Sequence, residues 1–320
     1  MITVKRFNNN SPAWDNFVSS ANNGTLFHTR RFLNYHPEER FNDYSLEFYK
    51  KEKLVSVFPA ALIETESIRT LVSHPGASVG SFVVPEDLAF ADALEMVERL
   101  IEYSKKEGFD GIKLTQPPTI YSKRLSHYID FALQKNGFQY AKREISSILF
   151  LEKSIDENLA KFKSTHRTAV RKAEKSGVIV KQTDDFASFY EILEKNLSIR
   201  HDVKPTHSLA ELLYLKEIFP DKINLFGAYI EGKMVAGVVN FIATDNVVLA
   251  FYISHDENYQ EVRPINLLFY KIFEWAIQKK FSVFDFGIFT VNEEPNYGLA
   301  RFKENFGASG QYRDTLEIKL

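Results

Sequence analysis

Apolar and polar positions alternate with two different periods along this chain, and the order of the changes outlines its elements. Residues 2–7 alternate as a strand does. Ser11-Pro12 then opens a helix, with proline at its first position and Trp14, Phe17 and Val18 on its buried face. A short helix is predicted over 29–35. Strands over 44–49 and 54–63 flank the charged turn Lys50-Lys-Glu-Lys53, and another covers 69–72. Gly76, Gly80 and Pro85 break the chain around 79–84. Leu88, Ala91, Leu94, Val97, Leu100 and Ile101 then mark one face of a helix over 88–107, closed by Gly108. A strand at 112–114 stops at Pro117-Pro118, a helix at 125–135 ends at Gly137, and a strand follows at 146–151.

The second half repeats this order. Helices are predicted over 154–176 and 186–200 with a strand at 178–181 between them, then a helix over 209–218. A meander of three strands comes next, at 224–230, 234–243 and 247–253. A helix over 264–279, a strand at 283–286, a helix over 298–305 and a last strand at 312–319 complete the chain. Individual residues carry the correspondence. Lys53-Leu-Val55 matches Lys233-Met-Val235, Tyr103–Phe109 matches Trp275–Phe281, and Leu133–Phe138 matches Phe302–Gly307. A repeat this long is too large for a solenoid unit, so it reads as two copies of one α/β (α+β) domain, 1–151 and 152–320.

The repeated unit is a helix pair, an antiparallel meander, then helix, strand, helix and strand. It resembles the GNAT acyltransferase fold. The tandem arrangement, with Arg167-x-x-x-Arg-Lys-Ala-Glu-Lys-x-Gly177 opening the second copy and Arg301-Phe-Lys-Glu-Asn-Phe-Gly307 near its end, resembles the Fem family. Members of that family transfer amino acids from aminoacyl-tRNA to the peptidoglycan precursor. The resemblance implies an N-acyltransferase that works on an amine of a cell-wall or surface-glycan precursor without a covalent enzyme intermediate. The first copy would be the acceptor side and the second the donor and catalytic side.

Composition narrows the chemistry. The chain has no cysteine, which removes disulfides, thiolate zinc sites and thiol nucleophiles. Its formal net charge of −2 gives no global attraction to nucleic acid, so any contact with tRNA would be small and salt-sensitive. No apolar run reaches the length of a membrane span and the start does not read as a signal peptide, so a cytoplasmic location is expected. His28, His36, His74, His127, His166, His201 and His207 show no metal-ligand spacing, and no metal is expected.

Two groups of cations carry the site prediction. Lys163, Arg167, Arg171 and Lys175 recur every four residues along the helix over 154–176. A solvated face would look the same, but Glu174 is the lone counter-charge in the second half of that helix. Arginine suits a bidentate grip on phosphate. By the resemblance, Arg167 and Arg171 would hold the diphosphate of the acceptor. Arg301, Phe302 and Lys303 form the other group, with Phe302 and Phe306 anchoring the helix and Lys303 leaving its flank. The family pattern gives Lys303 the negative charge of the acyl-transfer intermediate. Tyr252 and His255 close the third meander strand, Tyr252 as a substrate contact and His255 as a candidate base. A capped, solvated turn is the plainer account of His255 to Glu261.

CoA-using members of the fold hold the pyrophosphate on a glycine-rich turn before the helix that starts here at Pro264. The stretch 258–265, Asn-Tyr-Gln-Glu-Val-Arg-Pro-Ile, has no glycine. No tightly bound cofactor is expected, and the donor co-substrate is aminoacyl-tRNA or acyl-CoA. Two rival readings stay open. One is an acyl-CoA-dependent N-acyltransferase of exopolysaccharide or lipid biosynthesis. The other is a degenerate GNAT-like protein that binds a nucleotide-sugar or a protein partner without turnover.

Overall fold

The computed structural model describes residues 1–7, 9–37, 39–201 and 205–320, with the side chains of 198–201 left aside, so His201 of the histidine survey lies outside the described side chains. The chain forms two compact units, residues 1–144 with 312–320, and residues 145–311.

Unit 1 begins with β1 (Ile2–Arg6), α1 (Ser11–Ser20), α2 (Arg30–Leu33) and β2 (Asn42–Asp43). Then come β3 (Leu46–Lys50), β4 (Lys53–Phe58), β5 (Ala61–Thr65), β6 (Ile68–Ser73), α3 (Phe90–Lys106), β7 (Gly111–Thr115) and α4 (Tyr128–Lys135). β8 (Gln139–Phe150) starts in unit 1 and ends in unit 2. The charged turn between β3 and β4 places both Lys51 and Glu52 at positive φ, the geometry that matches the twist of a tight hairpin. The single strand predicted over 54–63 is two strands. β3 pairs with β4 in a small sheet with β1, while β5 pairs with β2 and β6 in another. Pro59, which has no N–H to give a ladder, stands at the break. β6 then runs parallel to β7 through the α3 crossover. Phe48, Phe58, Leu71, Met96, Val97, Leu100, Ile112 and Leu114 build the core beneath α3.

Unit 2 holds α5 (Ile155–Lys161), α6 (Ser164–Lys175), β9 (Ile179–Thr183), α7 (Phe186–His201) and α8 (Leu209–Ile218). They are followed by β10 (Ile223–Ile230), β11 (Lys233–Ile242), β12 (Val247–His255), α9 (Pro264–Gln278) and β13 (Val283–Ile288). The short pair β14 (Thr290–Val291) and β15 (Glu294–Pro295), α10 (Tyr297–Glu304) and β16 (Ser309–Lys319) close the chain. β9 to β12 form an antiparallel meander, β12 runs parallel to β13, and the end of β8 pairs antiparallel with β13. α9 is apolar over most of its surface because it is buried under the sheet, with Leu268, Phe269, Ile272 and Phe273 fully enclosed.

Both copies therefore run meander, crossover to a parallel strand, and closing antiparallel strand. The closing strands do not follow the expected halves 1–151 and 152–320. Residues 312–320 belong to unit 1, where β16 pairs with β7 and Leu316 sits opposite Leu114 in the core. A contiguous cut at 151 would strip unit 1 of this strand.

The helix predicted over 154–176 is also two. α5 ends at Lys161 and α6 starts at Ser164, and Phe162 and Lys163 between them leave the helical conformation. Phe162 turns inward at 1 % exposure against Phe273 and Phe306, and the Lys163 N–H reaches the Asn305 carbonyl. Burying that ring outweighs the turn of helix lost at the break.

Candidate active site

The site is built on a place where two parallel strands part. β12 and β13 are paired only over 247–249 and 283–285. Beyond that, β12 keeps β11 as its neighbour while β13 bulges against β8 between Asp285 and Ile288. Gly287 makes the bulge possible, since its φ of +76° is a conformation that other residues adopt only at a cost.

Two charged side chains hold the bulge. Asp285 is fully buried and accepts from Ser146 Oγ at 2.7 Å and from the Gly287 N–H at 2.7 Å. Lys303 Nζ donates to the carbonyls of Gly287 at 2.7 Å and Ile288 at 2.8 Å. Lys303 is 1 % exposed, so it points into unit 2 and not off the flank of α10 as its helical position predicted. Taking an ammonium out of water costs several kcal/mol, and the bonds to these two carbonyls help to offset that cost. The result is a positive charge fixed where the two strands separate.

The first copy shows what closing that gap looks like. Its parallel pair, β6 and β7, is continued by the loop after β6, where Gly80 N–H bonds the Thr115 carbonyl at 2.8 Å and Ser81 N–H bonds Ser73 Oγ at 2.7 Å. A Cβ on Gly80 would lie 2.4 Å from the Ser73 backbone, so only glycine permits this approach. In the second copy Asp285 of β13 and Lys303 of α10 instead hold the bulge where the strands part.

Around α10 the predicted residues separate. Arg301 is exposed on its last turn. Phe302 is half-buried in an aromatic cluster, 5.2 Å from Phe306 and 6.0 Å from Phe269 between ring centroids. His166 on α6 lies over the same cluster, 4.7 Å from Phe306, and its Nε2 is buried without a hydrogen-bond partner. Burial, then the nearby charge of Arg263, hold this imidazole below its usual pKa.

On α6 the two arginines also differ. The Arg167 guanidinium turns back to the Phe162 carbonyl, one of the acceptors orphaned where α5 ends. Arg171 is exposed one turn later. The cationic row survives over Arg167, Arg171 and Lys175, while Lys163 caps the start of α6 from outside the helix.

Tyr252 is 9 % exposed on β12. Its hydroxyl accepts the His207 N–H at 3.1 Å and lies 2.8 Å from His207 Nδ1. Burial pushes the phenol up to about 12, so it stays protonated across the physiological range. His255, half-buried at the end of β12, receives Asn196 Nδ2 on its backbone carbonyl at 2.7 Å. Asp256 behind it caps the next turn through Asn258 N–H and lies 3.7 Å from both Lys195 and Lys233.

The start of α9 lies at the end of that turn. Arg263 is left-handed and caps α9 without a side-chain bond, with Pro264 at the first helical position. Asn266, 7 % exposed on the first turn, has a buried Nδ2 without a partner. A helix N-terminus with a cation and unsatisfied donors nearby suits an anionic carrier. Sequence reasoning passed over Asn266, although one asparagine inside the apolar run Pro264–Phe269 is a legible signal. It also missed the pairing of His207 with Tyr252, which 45 residues of chain separate and no local pattern marks.

Among the described residues, no three histidine, aspartate or glutamate side chains gather as a metal site, and no helix is long and apolar enough to cross a membrane.

A model of the acetyltransferase (GNAT) domain matches residues 160–304. The crystal structure of FemX is similar over 99 % of this chain and 97 % of its own, with a TM-score of 0.75 at 15 % identity. A tandem GNAT protein from the clavulanic acid biosynthesis pathway is similar over 100 % and 98 % of the two chains, with a TM-score of 0.58 at 10 % identity. L-PGS from Bacillus licheniformis covers 86 % of this chain with 83 % of its own, at a TM-score of 0.56 and 12 % identity. No curated protein matches by sequence. The acetyltransferase (GNAT) domain match falls within unit 2, and the solved structures share the fold of the whole chain. In architecture the chain is similar to FemX and to the tandem GNAT protein.

Proposed function

We propose that this acyltransferase moves an acyl or aminoacyl group onto an amine of a cell-wall or surface-glycan precursor, in the cytoplasm, where its activated donors are made. The observation that carries the reading is the buried Lys303 ammonium at the parting of β12 and β13, inside the segment that matches the GNAT domain model. The amine nitrogen attacks the carbonyl carbon of the donor ester, and the carbonyl oxygen takes up negative charge. The bond to the carrier then breaks, the carrier leaves with its electron pair, and one amine proton is lost. Lys303 supplies a preorganised positive field to the oxyanion, which costs no rearrangement when the charge develops. His255 serves as base for the amine proton, and the protonated Tyr252 hydroxyl contacts the substrate. Arg171 and Arg167 meet acceptor phosphates, and Arg301 and Phe302 border the substrate.

The donor carrier bears phosphate, as coenzyme A and tRNA both do. The GNAT model over 160–304 favours acyl-CoA. The absence of glycine in 258–265 favours aminoacyl-tRNA, because a side chain on each residue keeps the backbone from the close approach a pyrophosphate needs. Thermal-shift titration with acetyl-CoA and with aminoacyl-tRNA, followed by amide-product detection with a muramyl-peptide nucleotide acceptor, tests the reading. One donor should raise the melting temperature and yield amide that depends on Lys303. Stabilisation by neither donor, and no amide, would refute it.

A further inference from the structure

Unit 1 contains a cleft of about 530 Å³ that the acyl-transfer reading does not use. It borders the chain just after β7 and the loop that follows β6, the carboxyl end of a parallel strand pair, where open α/β sheets place ligands. The volume falls in the range of small-molecule sites, roughly 300–1,000 Å³.

Its walls are fixed by hydrogen bonds that span the unit. Asn22 holds Arg124 through both its amide N–H and its carbonyl, at 2.9 and 2.8 Å. Asn23 holds the Phe82 carbonyl and the Val84 N–H in the same way, at 2.8 and 2.9 Å. Within this frame Ser81 stands in a left-handed conformation, φ +73°, which costs a non-glycine residue of order 1–2 kcal/mol. Ser81 is 1 % exposed and lines the cleft, and its hydroxyl is buried without a hydrogen-bond partner. A strained backbone and an unsatisfied hydroxyl therefore fall on one residue of the cleft wall.

The remaining lining sets the ligand's chemistry. Glu86, Asp87 and Asp130 line the cleft with Arg124 and His127, so carboxylates outnumber guanidinium groups, and a phosphate or carboxylate is disfavoured. Tyr128 lies on the rim at 43 % exposure, and its ring packs against that of Phe90 at 5.3 Å. An exposed aromatic face beside carboxylates and a hydroxyl matches a ligand with an apolar C–H face, several hydroxyls and a positive charge.

We infer that this cleft binds an amine-bearing sugar, with the Ser81 hydroxyl as its inner polar contact and Tyr128 as its stacking face. The inference rests on unit 1 alone and goes beyond the acyl-transfer reading, since binding needs neither donor nor turnover.

The test is titration of the full chain with glucosamine, N-acetylglucosamine and glucuronate, followed by amide chemical shifts. Glucosamine should bind most tightly and glucuronate least, with saturable shifts confined to 81–88 and 116–130. Ser81→Gly should weaken glucosamine by ~5–10-fold, the worth of one hydrogen bond, while the melting temperature stays level or rises. A purely structural serine would not give that combination. Tyr128→Ala, at an exposed position, should weaken binding without affecting the fold. No saturable shift with glucosamine, equal binding of glucuronate, shifts elsewhere, or full affinity in both variants would overturn the assignment. None of these outcomes bears on amide formation, which is measured separately with the donor present.

Discussion

Lys303 shows how a residue type can be legible while its environment is not. Its place in Arg-Phe-Lys-Glu-Asn-Phe-Gly marked it, but helical spacing put it on a flank, and packing turns it inward onto the Gly287 and Ile288 carbonyls. That geometry gives it two separable jobs. Lys303→Met should lower kcat by roughly 10²–10³, the value of one lost oxyanion donor. It should also lower stability, because two carbonyls lose a charged donor. Lys303→Arg keeps the charge but not the compact head group, so it should recover stability better than rate. Equal recovery of both would assign Lys303 a purely structural role.

The buried histidines of unit 1 make a prediction about pH. Burial lowers His28 to about 4, while its Nε2–H donates to the Gly80 carbonyl at 3.0 Å. Burial likewise lowers His74 to about 4. Each is neutral in the folded chain and takes up a proton on unfolding below about 6.5. Stability is therefore complete above that value and declines as pH falls towards 4, by up to about 3 kcal/mol per histidine. Urea unfolding between pH 7 and 4 should show this loss, and His28→Gln should reduce it.

At the scale of elements, the break between α5 and α6 decides what the two arginines do. Arg167 satisfies the Phe162 carbonyl, so Arg167→Ala should cost about 1 kcal/mol of stability. Arg171 is exposed, and Arg171→Ala should leave stability within about 0.5 kcal/mol while weakening a phosphate-bearing acceptor. Unfolding curves and acceptor titration on the same two proteins separate these effects. The β13 bulge is a second test. Gly287→Ala forces a side chain into a left-handed position and should cost about 1–2 kcal/mol, and it should lower the rate as well because Lys303 is bonded to that peptide. The break at Phe162 was not legible because a capping box at Ser154 and a run of helix formers describe a continuous helix well. Only the aromatic cluster around Phe273 and Phe306 rewards leaving it.

For the whole molecule, the unit boundaries predict where damage will spread. Residues 312–320 are last in the chain but complete unit 1, so deleting them should unpair β7 and expose Leu114. Hydrogen exchange on the truncated chain should rise over 61–73 and 111–115 far more than over 223–255. The opposite pattern would mean that the strand serves unit 2.

The sequence alone determined most of the elements and their order, because periods of two and 3.6 are local properties of a chain with one buried face per element. It determined the duplication as well, since matched turns and helix ends survive as residues. The tertiary structure decided which strand closes each copy, where Lys303 points, and that Tyr252 meets His207. Those outcomes depend on what lies across a sheet or beneath a helix. Neighbours brought together from 45 or 200 residues away leave no period in the chain, and they are selected by burial and by the need to satisfy buried polar groups.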